Sequence, residues 1–254
     1  MVKLSRKINY GIRNPTKGIR YLFGGKQGKK DAIYSVVRDY SKDKTTLTKL
    51  SSFLEEDLSK YHKELLSNEL YKKAELDIAE NSVAENTEHL WLFGFTEARL
   101  LYTLCRFFKP KIVIETGVAS GLSSFMFLLA MKMNNIGHLY SIDLPLGDKR
   151  SYPPGKTIGW LVPDSLKDFW TLKIGDSKKL LPEILKETKS CDVFLHDSLH
   201  TYDHMLWEYQ TVWPYLKKAL LSDDTHLHDV FGDFVSKNQC KSHKISKRVG
   251  LILR

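Results

Sequence analysis

Two short segments place carboxylates and a histidine directly after apolar runs. CDVFLHDSLHTY carries Asp197 and, three residues later, His200, while ALLSDD ends in Asp223 and Asp224. If the two apolar runs are neighbouring parallel strands, the three carboxylates meet at one edge of a sheet. Their mutual repulsion there is costly unless a cation or a charged substrate lies among them. The pattern therefore indicates a site for a hard divalent cation with a histidine beside it.

Glycines and acids also follow three other apolar runs. IETGVASGLSS is typical of a strand, a turn and a helix start, and its Gly117 and Gly121 allow the backbone to approach a ligand closely. Asp143 ends the next run, where a carboxylate can accept hydrogen bonds from ribose hydroxyls. Gly175 and Asp176 end a third run, where an acid can accept a hydrogen bond from an adenine amino group. Together these residues predict an adenosine site, although a plain tight turn also explains the glycines.

The polarity of the glycine turn bears on which cofactor would bind. The turn lacks the third glycine of the G-x-G-x-x-G dinucleotide fingerprint. Glu115, at the end of the preceding strand, suits a ligand that carries an ammonium group better than one that carries a pyrophosphate. S-adenosylmethionine therefore fits the turn better than a nicotinamide dinucleotide does.

The elements that would position these residues alternate between strand and helix from Lys111 onward. Helices of about 10–15 residues separate the apolar runs, which predicts an α/β fold with a doubly wound, mostly parallel sheet. Ligands of such sheets bind at the carboxyl ends of the strands, where all of the residues above fall. The predicted strands are 111–117, 138–144, 171–177, 191–197, 219–224 and the terminal VGLILR.

The N-terminal part of the chain has a different character. Residues 31–110 show leucine and aromatic residues at steps of three and four and are predicted to be helical throughout, with a last helix that opens at Thr96 and stops before Pro110. Residues 1–30 hold nine Lys and Arg residues and no acid. In the remaining chain, basic and acidic residues balance at 30 of each.

The basic arm of residues 1–30 leaves three interpretations open: a solvated tail, peripheral attachment to an anionic membrane surface, and contact with nucleic acid or another acidic partner. Of these acidic partners, nucleic acid is the least expected. The three cysteines are far apart, which excludes a disulfide framework and a zinc site and favours a reducing cytoplasm. No apolar run is long enough to span a bilayer and no signal peptide is predicted. The expected location is cytoplasmic, with contact to the inner membrane face left open, and a homo-oligomer is compatible with the sequence.

Taken together, the motifs ETGVASGLSS, YSIDLP, KIGDS, DVFLHDSLHTYDHMLWEY and LLSDD resemble the class I S-adenosylmethionine-dependent methyltransferases. The chain is most similar to the branch with an Asp-x-x-His-x-Tyr motif, which includes sugar and macrolide-sugar O-methyltransferases. The resemblance covers about residues 90–254. It implies a Rossmann-like sheet of seven strands, with residues 1–30 as a basic arm, 31–90 as a helical extension and 91–254 as the methyltransferase domain.

The resemblance also implies roles for individual residues. Asp197, Asp223 and Asp224 would hold Mg²⁺ or Mn²⁺, and His200 would act with Asp197 in catalysis as the base that takes the acceptor proton. The acceptor would be a hydroxyl of a sugar, glycan or other small molecule. In place of the family's Gly-Gly turn before the fifth strand, this chain has Lys217-Lys218. The implied cofactor residues are Glu115, Gly117, Ser120, Gly121, Ser123, Asp143, Gly175, Asp176 and Asp197.

Other functions remain compatible with the residues. The acceptor is expected to enter over the loop of residues 145–165, where Tyr152, Lys156 and Trp160 could contact a sugar, but the same loop is equally well explained as a lid. An NAD-linked Rossmann-fold oxidoreductase and a non-catalytic, membrane-associated adaptor are the alternatives to a methyltransferase.

Overall fold

The computed structural model describes residues 25–84, 94–144, 152–153 and 155–254. Between residues 25 and 108, the described residues form five helices, and the last of these helices packs on the sheet that follows. The predicted basic arm falls largely outside the described residues, as does much of the loop 145–165. The helices are α1 Gly25–Val37, α2 Asp43–Leu54, α3 Ser59–Ser67, α4 Glu69–Ala84 and α5 Phe95–Phe108.

The prediction of unbroken helix in this region is wrong at the joints between helices. Glu55 ends α2 in the left-handed conformation, with φ of 57°. The Asp57 side chain accepts a hydrogen bond from Ser59 N at 2.9 Å, and the Asn68 side chain accepts one from Leu70 N at 2.9 Å. Such side chains offer the backbone an alternative to helical hydrogen bonds, so the leucine periodicity continues across the breaks while the helix does not.

A seven-stranded sheet follows, and the predicted doubly wound, mostly parallel α/β fold is confirmed. The strand order is β3-β2-β1-β4-β5-β7-β6, with β7 antiparallel to both β5 and β6. The short edge strand β6 is not among the strands that the sequence located. The elements are β1 Ile112–Thr116, α6 Leu122–Asn134, β2 His138–Asp143, β3 Trp170–Ile174, α7 Ser177–Thr188, β4 Cys191–His196, α8 Tyr202–Val212, β5 Leu216–Ser222, α9 Val230–Asn238, β6 Ser242–Lys244 and β7 Gly250–Leu253.

Helices cover both faces of the sheet because its strands are apolar on both faces. On one face, strand residues such as Val113 pack with α5, α6 and the N-terminal helices. On the other face, residues such as Ile114 pack with α7, α8 and α9. This arrangement leaves the carboxyl ends of the strands as the edge at which polar side chains gather.

A buried ion pair joins the N-terminal helices to the sheet layer. The guanidinium of Arg99, on α5, donates to Asp43 at the start of α2 over 2.5 and 2.8 Å. Arg99 also donates to the carbonyl oxygens of Val37 and Asp39. Because a two-pronged pair of this kind fixes orientation as well as distance, it sets the angle at which α2 meets α5.

None of the described helices is long and apolar enough to cross a membrane.

Candidate active site

Hydrogen bonds between neighbouring strands align the ends of β1, β2, β4 and β5. Gly117 N donates to the carbonyl oxygen of Ile142 at 2.8 Å, and Asp197 N donates to that of Thr116 at 2.8 Å. Asp223 N donates to the carbonyl oxygen of His196 at 2.9 Å. The residues that directly follow these strands therefore lie side by side along one edge of the sheet.

The two glycines of the turn after β1 make room for the protein's own backbone. Gly117 has φ of 88°, and a Cβ there would lie 1.9 Å from the carbonyl oxygen of Asp197. Gly121 has φ of 86°, and a Cβ there would lie 2.8 Å from the Cα of Gly159. A side chain at either position would clash with the protein's own backbone, at the end of β4 or in the segment before β3. The packing of the chain therefore requires these glycines whether or not a ligand binds.

That segment covers the glycine turn. Gly159 N donates to the carbonyl oxygen of Ala119 at 2.8 Å, and Leu161 N donates to that of Ser120 at 3.0 Å. Trp160 packs against the core, and the Lys156 ammonium lies 5.6 Å from the centre of its ring. In this position Trp160 contributes to the packing of the segment rather than to an exposed face that a sugar could stack on.

Glu115 lies beneath the turn and is fully buried. Its Oε1 accepts hydrogen bonds from the hydroxyls of Ser124 and Ser141, the latter at 2.6 Å. Burial raises the pKa of the Glu115 carboxyl to about 7, although these hydroxyls and that of Ser123 oppose the rise. Oε2 has no hydrogen-bond partner among the described residues. An ammonium group of a ligand would supply that partner and favour the ionised carboxylate.

Asp143 also contacts the turn. Its Oδ2 accepts from Val118 N at 3.0 Å and from Ala119 N at 2.7 Å, and the residue is almost fully buried. The carboxylate that was predicted to bind ribose hydroxyls therefore also holds the shape of the glycine turn.

A cavity of about 470 Å³ opens between the strand ends and the first turns of α7 and α8. Four of the predicted cofactor residues line it: Gly117, Asp143, Gly175 and Asp176. Glu115, Ser120, Gly121, Ser123 and Asp197 are not among its lining residues. The volume is in the range of small-molecule and cofactor sites. The structure thus brings the predicted ribose and adenine positions together around one space.

The same cavity has walls that the sequence interpretation missed, among them Ser177, Ser198 and His204. These side chains belong to a buried network around Glu208, which is fully buried on α8. Glu208 Oε1 lies 3.0 Å from His204 Nε2 and accepts from the Ser198 hydroxyl at 2.9 Å. The four-residue spacing of His204 and Glu208 on one helix face was the available sequence signal.

The other oxygen of Glu208 reaches the strand ends. Glu208 Oε2 accepts from the Thr116 hydroxyl at 2.6 Å and lies 2.6 Å from His196 Nδ1. Burial alone would raise the pKa of the Glu208 carboxyl, but His196, His204 and Thr116 together hold it well below its ordinary value. His196 is therefore engaged behind the site, whereas His200 faces the carboxylates.

Asp197, His200 and Asp223 form a cluster in which one ligand atom from each residue lies within 4.8 Å of the others. His200 Nε2 is 3.6 Å from Asp197 Oδ1 and 3.7 Å from Asp224 Oδ2. Burial, together with the charge of Asp223, raises the pKa of the Asp197 carboxyl to about 7, and burial raises that of Asp223. Burial lowers the pKa of the His200 imidazole, but Asp197 and the other carboxylates raise it further, so that it ends above its ordinary value.

The donor set fits a divalent cation. The cluster offers carboxylate oxygens and one imidazole nitrogen within 4.8 Å of one another, and carboxylate oxygens are the ligands that Mg²⁺ and Mn²⁺ prefer. This cluster shares Asp197 and Asp223 with the three metal ligands predicted from the sequence. His200 is the third member of the cluster, and Asp224 borders it: Asp224 Oδ2 lies 3.7 Å from His200 Nε2, while its Oδ1 accepts a hydrogen bond from Arg248 Nε.

Comparison with known proteins finds a family similarity in the middle of the chain. Residues 114–225 match a family model described as a methyltransferase domain, and the match runs from β1 to just beyond the acid pair. Over these residues the chain is similar to that family. The match covers less than half of the chain, and no curated protein matches the sequence significantly.

Solved structures show the same fold at low sequence identity. The O-methyltransferase TomG from Streptomyces achromogenes, involved in tomaymycin synthesis and solved in complex with SAM, is 16% identical. Its TM-score is 0.52, with 74% of this chain and 90% of that chain covered. A putative O-methyltransferase from Klebsiella pneumoniae is 13% identical, with a TM-score of 0.53 and coverage of 74% and 90%. A putative caffeoyl-CoA O-methyltransferase from Staphylococcus aureus is 11% identical, with a TM-score of 0.52 and coverage of 74% and 93%.

These findings support the sequence resemblance at its coarser level, that of a class I S-adenosylmethionine-dependent methyltransferase. They do not favour the NAD-linked oxidoreductase or the non-catalytic adaptor.

Proposed function

We propose that this protein transfers the methyl group of S-adenosylmethionine to a hydroxyl oxygen of a sugar, a glycan or another small molecule, with the assistance of Mg²⁺ or Mn²⁺. The observation that carries this proposal is the arrangement of one sheet edge. A cavity of about 470 Å³ lies across the ends of β1 to β4, and the cluster of Asp197, His200 and Asp223 lies at the ends of β4 and β5.

The donor half of the proposal uses the cavity and the glycine turn. Asp143 would accept hydrogen bonds from the ribose hydroxyls, and Gly175 with Asp176 would contact the adenine. Glu115 would contact the methionine ammonium through its unpartnered Oε2, which requires the turn above it to shift, because Glu115 is fully buried and does not line the cavity. Ser120, Gly121 and Ser123 shape the turn above Glu115, and Asp197 would border the sulfonium. Methyl transfer depends mostly on the alignment of the methyl donor with the acceptor. A donor held at this edge would lie next to the cluster of Asp197, His200 and Asp223.

The acceptor half uses the carboxylates and His200. A hydroxyl is a poor nucleophile at neutral pH, and His200 Nε2, which lies between Asp197 and Asp224, is placed to take its proton. A divalent cation held by the carboxylates of Asp197, Asp223 and Asp224 would lower the pKa of the hydroxyl further and leave His200 free to take the proton. The closeness of Asp197 and Asp223 supports the cation, because neighbouring carboxylates repel each other unless a positive charge lies near them.

An oxygen acceptor is also supported by the descriptions of the similar structures, three of which are O-methyltransferases or putative O-methyltransferases. Because these structures are at most 16% identical to this chain, the identity of the acceptor has to be inferred from this chain's own residues. The sugar or glycan acceptor follows from the Asp-x-x-His-x-Tyr resemblance.

Calorimetry with S-adenosylhomocysteine and a methyl-transfer screen test this function. The full chain is expected to bind S-adenosylhomocysteine in the micromolar range that is usual for enzyme ligands. It should then release S-adenosylhomocysteine from S-adenosylmethionine when given hydroxylated acceptors and Mg²⁺, and lose this activity in EDTA. An absence of S-adenosylhomocysteine binding would contradict the methyl donor, and full activity in EDTA would contradict the metal.

For the basic arm of residues 1–30 we propose peripheral contact with the inner face of an anionic membrane, in an otherwise cytoplasmic protein. The support is the charge distribution, with nine basic residues and no acid. Co-sedimentation with anionic liposomes should fall when the chain starts at Asp31. Equal sedimentation of both proteins would remove the membrane contact.

A further inference from the structure

The acid pair at the end of β5 already has an organic cation. Arg248, in the turn between β6 and β7, donates from Nη2 to Asp223 Oδ2 at 2.5 Å and from Nε to Asp224 Oδ1 at 2.8 Å. Asp223 is almost fully buried, whereas the Arg248 side chain is about half exposed. One guanidinium therefore bridges two neighbouring carboxylates.

Hydrogen bonds hold the backbone of Arg248 in place on both sides of its peptide unit. The carbonyl oxygen of Arg248 accepts from Thr225 N at 2.8 Å and from the Thr225 hydroxyl at 2.8 Å. Arg248 N donates to the Ser246 hydroxyl at 3.1 Å. The backbone of residue 248 is thus tied to the loop that carries the acid pair, and the planar fork of arginine spans both acids in a way that the point charge of lysine does not.

Arg248 changes the charge that a bound cation would meet. Asp197, Asp223 and Asp224 carry three negative charges when they are ionised, and Arg248 offsets one of them. The affinity of an oxygen site for a divalent ion depends strongly on the count of ligand charges. Each acid of the pair accepts from Arg248 through one oxygen, and the other oxygen of Asp224 lies 3.7 Å from His200 Nε2.

We propose that Arg248 is an internal counterion that sets the divalent-cation affinity of this site, keeping the acid pair in place in the absence of metal and making the bound metal weak and exchangeable. This inference rests on the proposed cation site. It follows that the wild-type chain should bind a divalent cation less tightly than the same carboxylates would alone.

The test is a titration of the full chain with Mn²⁺, followed by electron paramagnetic resonance of the free ion. Arg248→Met should tighten Mn²⁺ binding on the order of tenfold, which is the effect of a unit charge about 6 Å from a divalent ion in water. Arg248→Gln is a second neutral variant that can still donate to one acid, and it should shift the affinity in the same direction.

Lys244→Met is the matched control. Lys244 belongs to the same hairpin and bonds through Nζ to the carbonyl oxygen and hydroxyl of Thr225 rather than to the acid pair. Lys244→Met removes one positive charge from the hairpin. It should leave the Mn²⁺ affinity within about twofold of the wild-type value, because the Lys244 ammonium does not contact a carboxylate of the site.

Arg248→Met or Arg248→Gln with wild-type or weaker Mn²⁺ affinity would overturn the inference, as would an absence of Mn²⁺ binding in both the variants and the wild type. S-adenosylhomocysteine affinity, measured on the same samples, separates this from the methyl-transfer proposal. Its absence from every protein, including wild type, would contradict the methyl donor and leave the Mn²⁺ comparison to decide the role of Arg248.

Discussion

The two ends of the functional sheet edge are built on different principles. At the donor end, around β1 to β3, the site is shaped by backbone: glycines at positive φ, and a carboxylate, Asp143, that accepts hydrogen bonds from the turn. At the acid end, around β4 and β5, the site is set by charge. Asp197, Asp223 and Asp224 share that region with His200 and Arg248.

The two ends should therefore respond differently to substitution. A change at the donor end alters shape and should appear first in stability and cofactor affinity. A change at the acid end alters charge or proton transfer and should appear first in the rate of methyl transfer.

The largest effect is expected at the acid end. His200→Ala should lower the turnover rate by about 10²- to 10⁴-fold, the usual contribution of a positioned general base, with S-adenosylhomocysteine affinity unchanged within about twofold. His226→Ala is the control, since His226 Nδ1 also lies 3.7 Å from Asp224 but outside the cluster. Steady-state kinetics and calorimetry measure both quantities. A rate loss shared equally by the two variants would break the distinction between them.

At the donor end, Gly117→Ala should lower the free energy of unfolding by roughly 2–5 kcal/mol, because it adds a clash to an unfavourable φ. The new Cβ would lie 1.9 Å from the carbonyl oxygen of Asp197. Gly155→Ala, at φ of 70° with open space around it, should cost only the conformational part, about 1–2 kcal/mol. Urea unfolding gives both values. Equal losses in the two variants would show that the approach of β1 to β4 is not tight.

The third expected effect is the pH dependence of stability at Glu115. Its carboxyl pKa is raised to about 7 from an ordinary value of 4.5, so the unfolded chain loses this proton first as the pH rises. The contribution of Glu115 to stability is therefore greatest below pH 4.5 and falls until about pH 7. Glu115→Gln removes this loss, and its free energy of unfolding relative to wild type should increase by up to about 3 kcal/mol between pH 5 and 8.

Urea unfolding across this pH range measures the effect, and Glu187→Gln, at a surface pair with Lys173, is the control that should show no such trend. The same Glu115→Gln variant should bind S-adenosylhomocysteine about tenfold more weakly, as expected for the loss of a charged hydrogen bond. A pH-independent difference in stability would mean that Glu115 is ionised beneath the turn. Unchanged ligand affinity would mean that it serves the turn alone.

Much of this edge could be predicted because strand ends are visible in sequence. Each apolar run that stops at Asp143, Asp197 or Asp223 ends a strand within two residues of the predicted position. The failures share a physical cause. The helix breaks near Glu55 and Asn68 depend on local side-chain hydrogen bonds that hydrophobic periodicity does not register. The strand β6 is too short, at three residues, to show a pattern of its own.

The α/β architecture and the carboxylates at the strand ends can be inferred from the residues alone, because burial periodicity and strand termination are local properties of the chain. Tertiary structure alone decided which groups those carboxylates meet. Arg248 reaches Asp223 and Asp224 from a turn 25 and 24 residues away, and Glu208 reaches Thr116 across 92 residues. Charge neutralisation inside a fold depends on distances of a few ångströms between segments that are remote in sequence, and only the packed sheet fixes those distances.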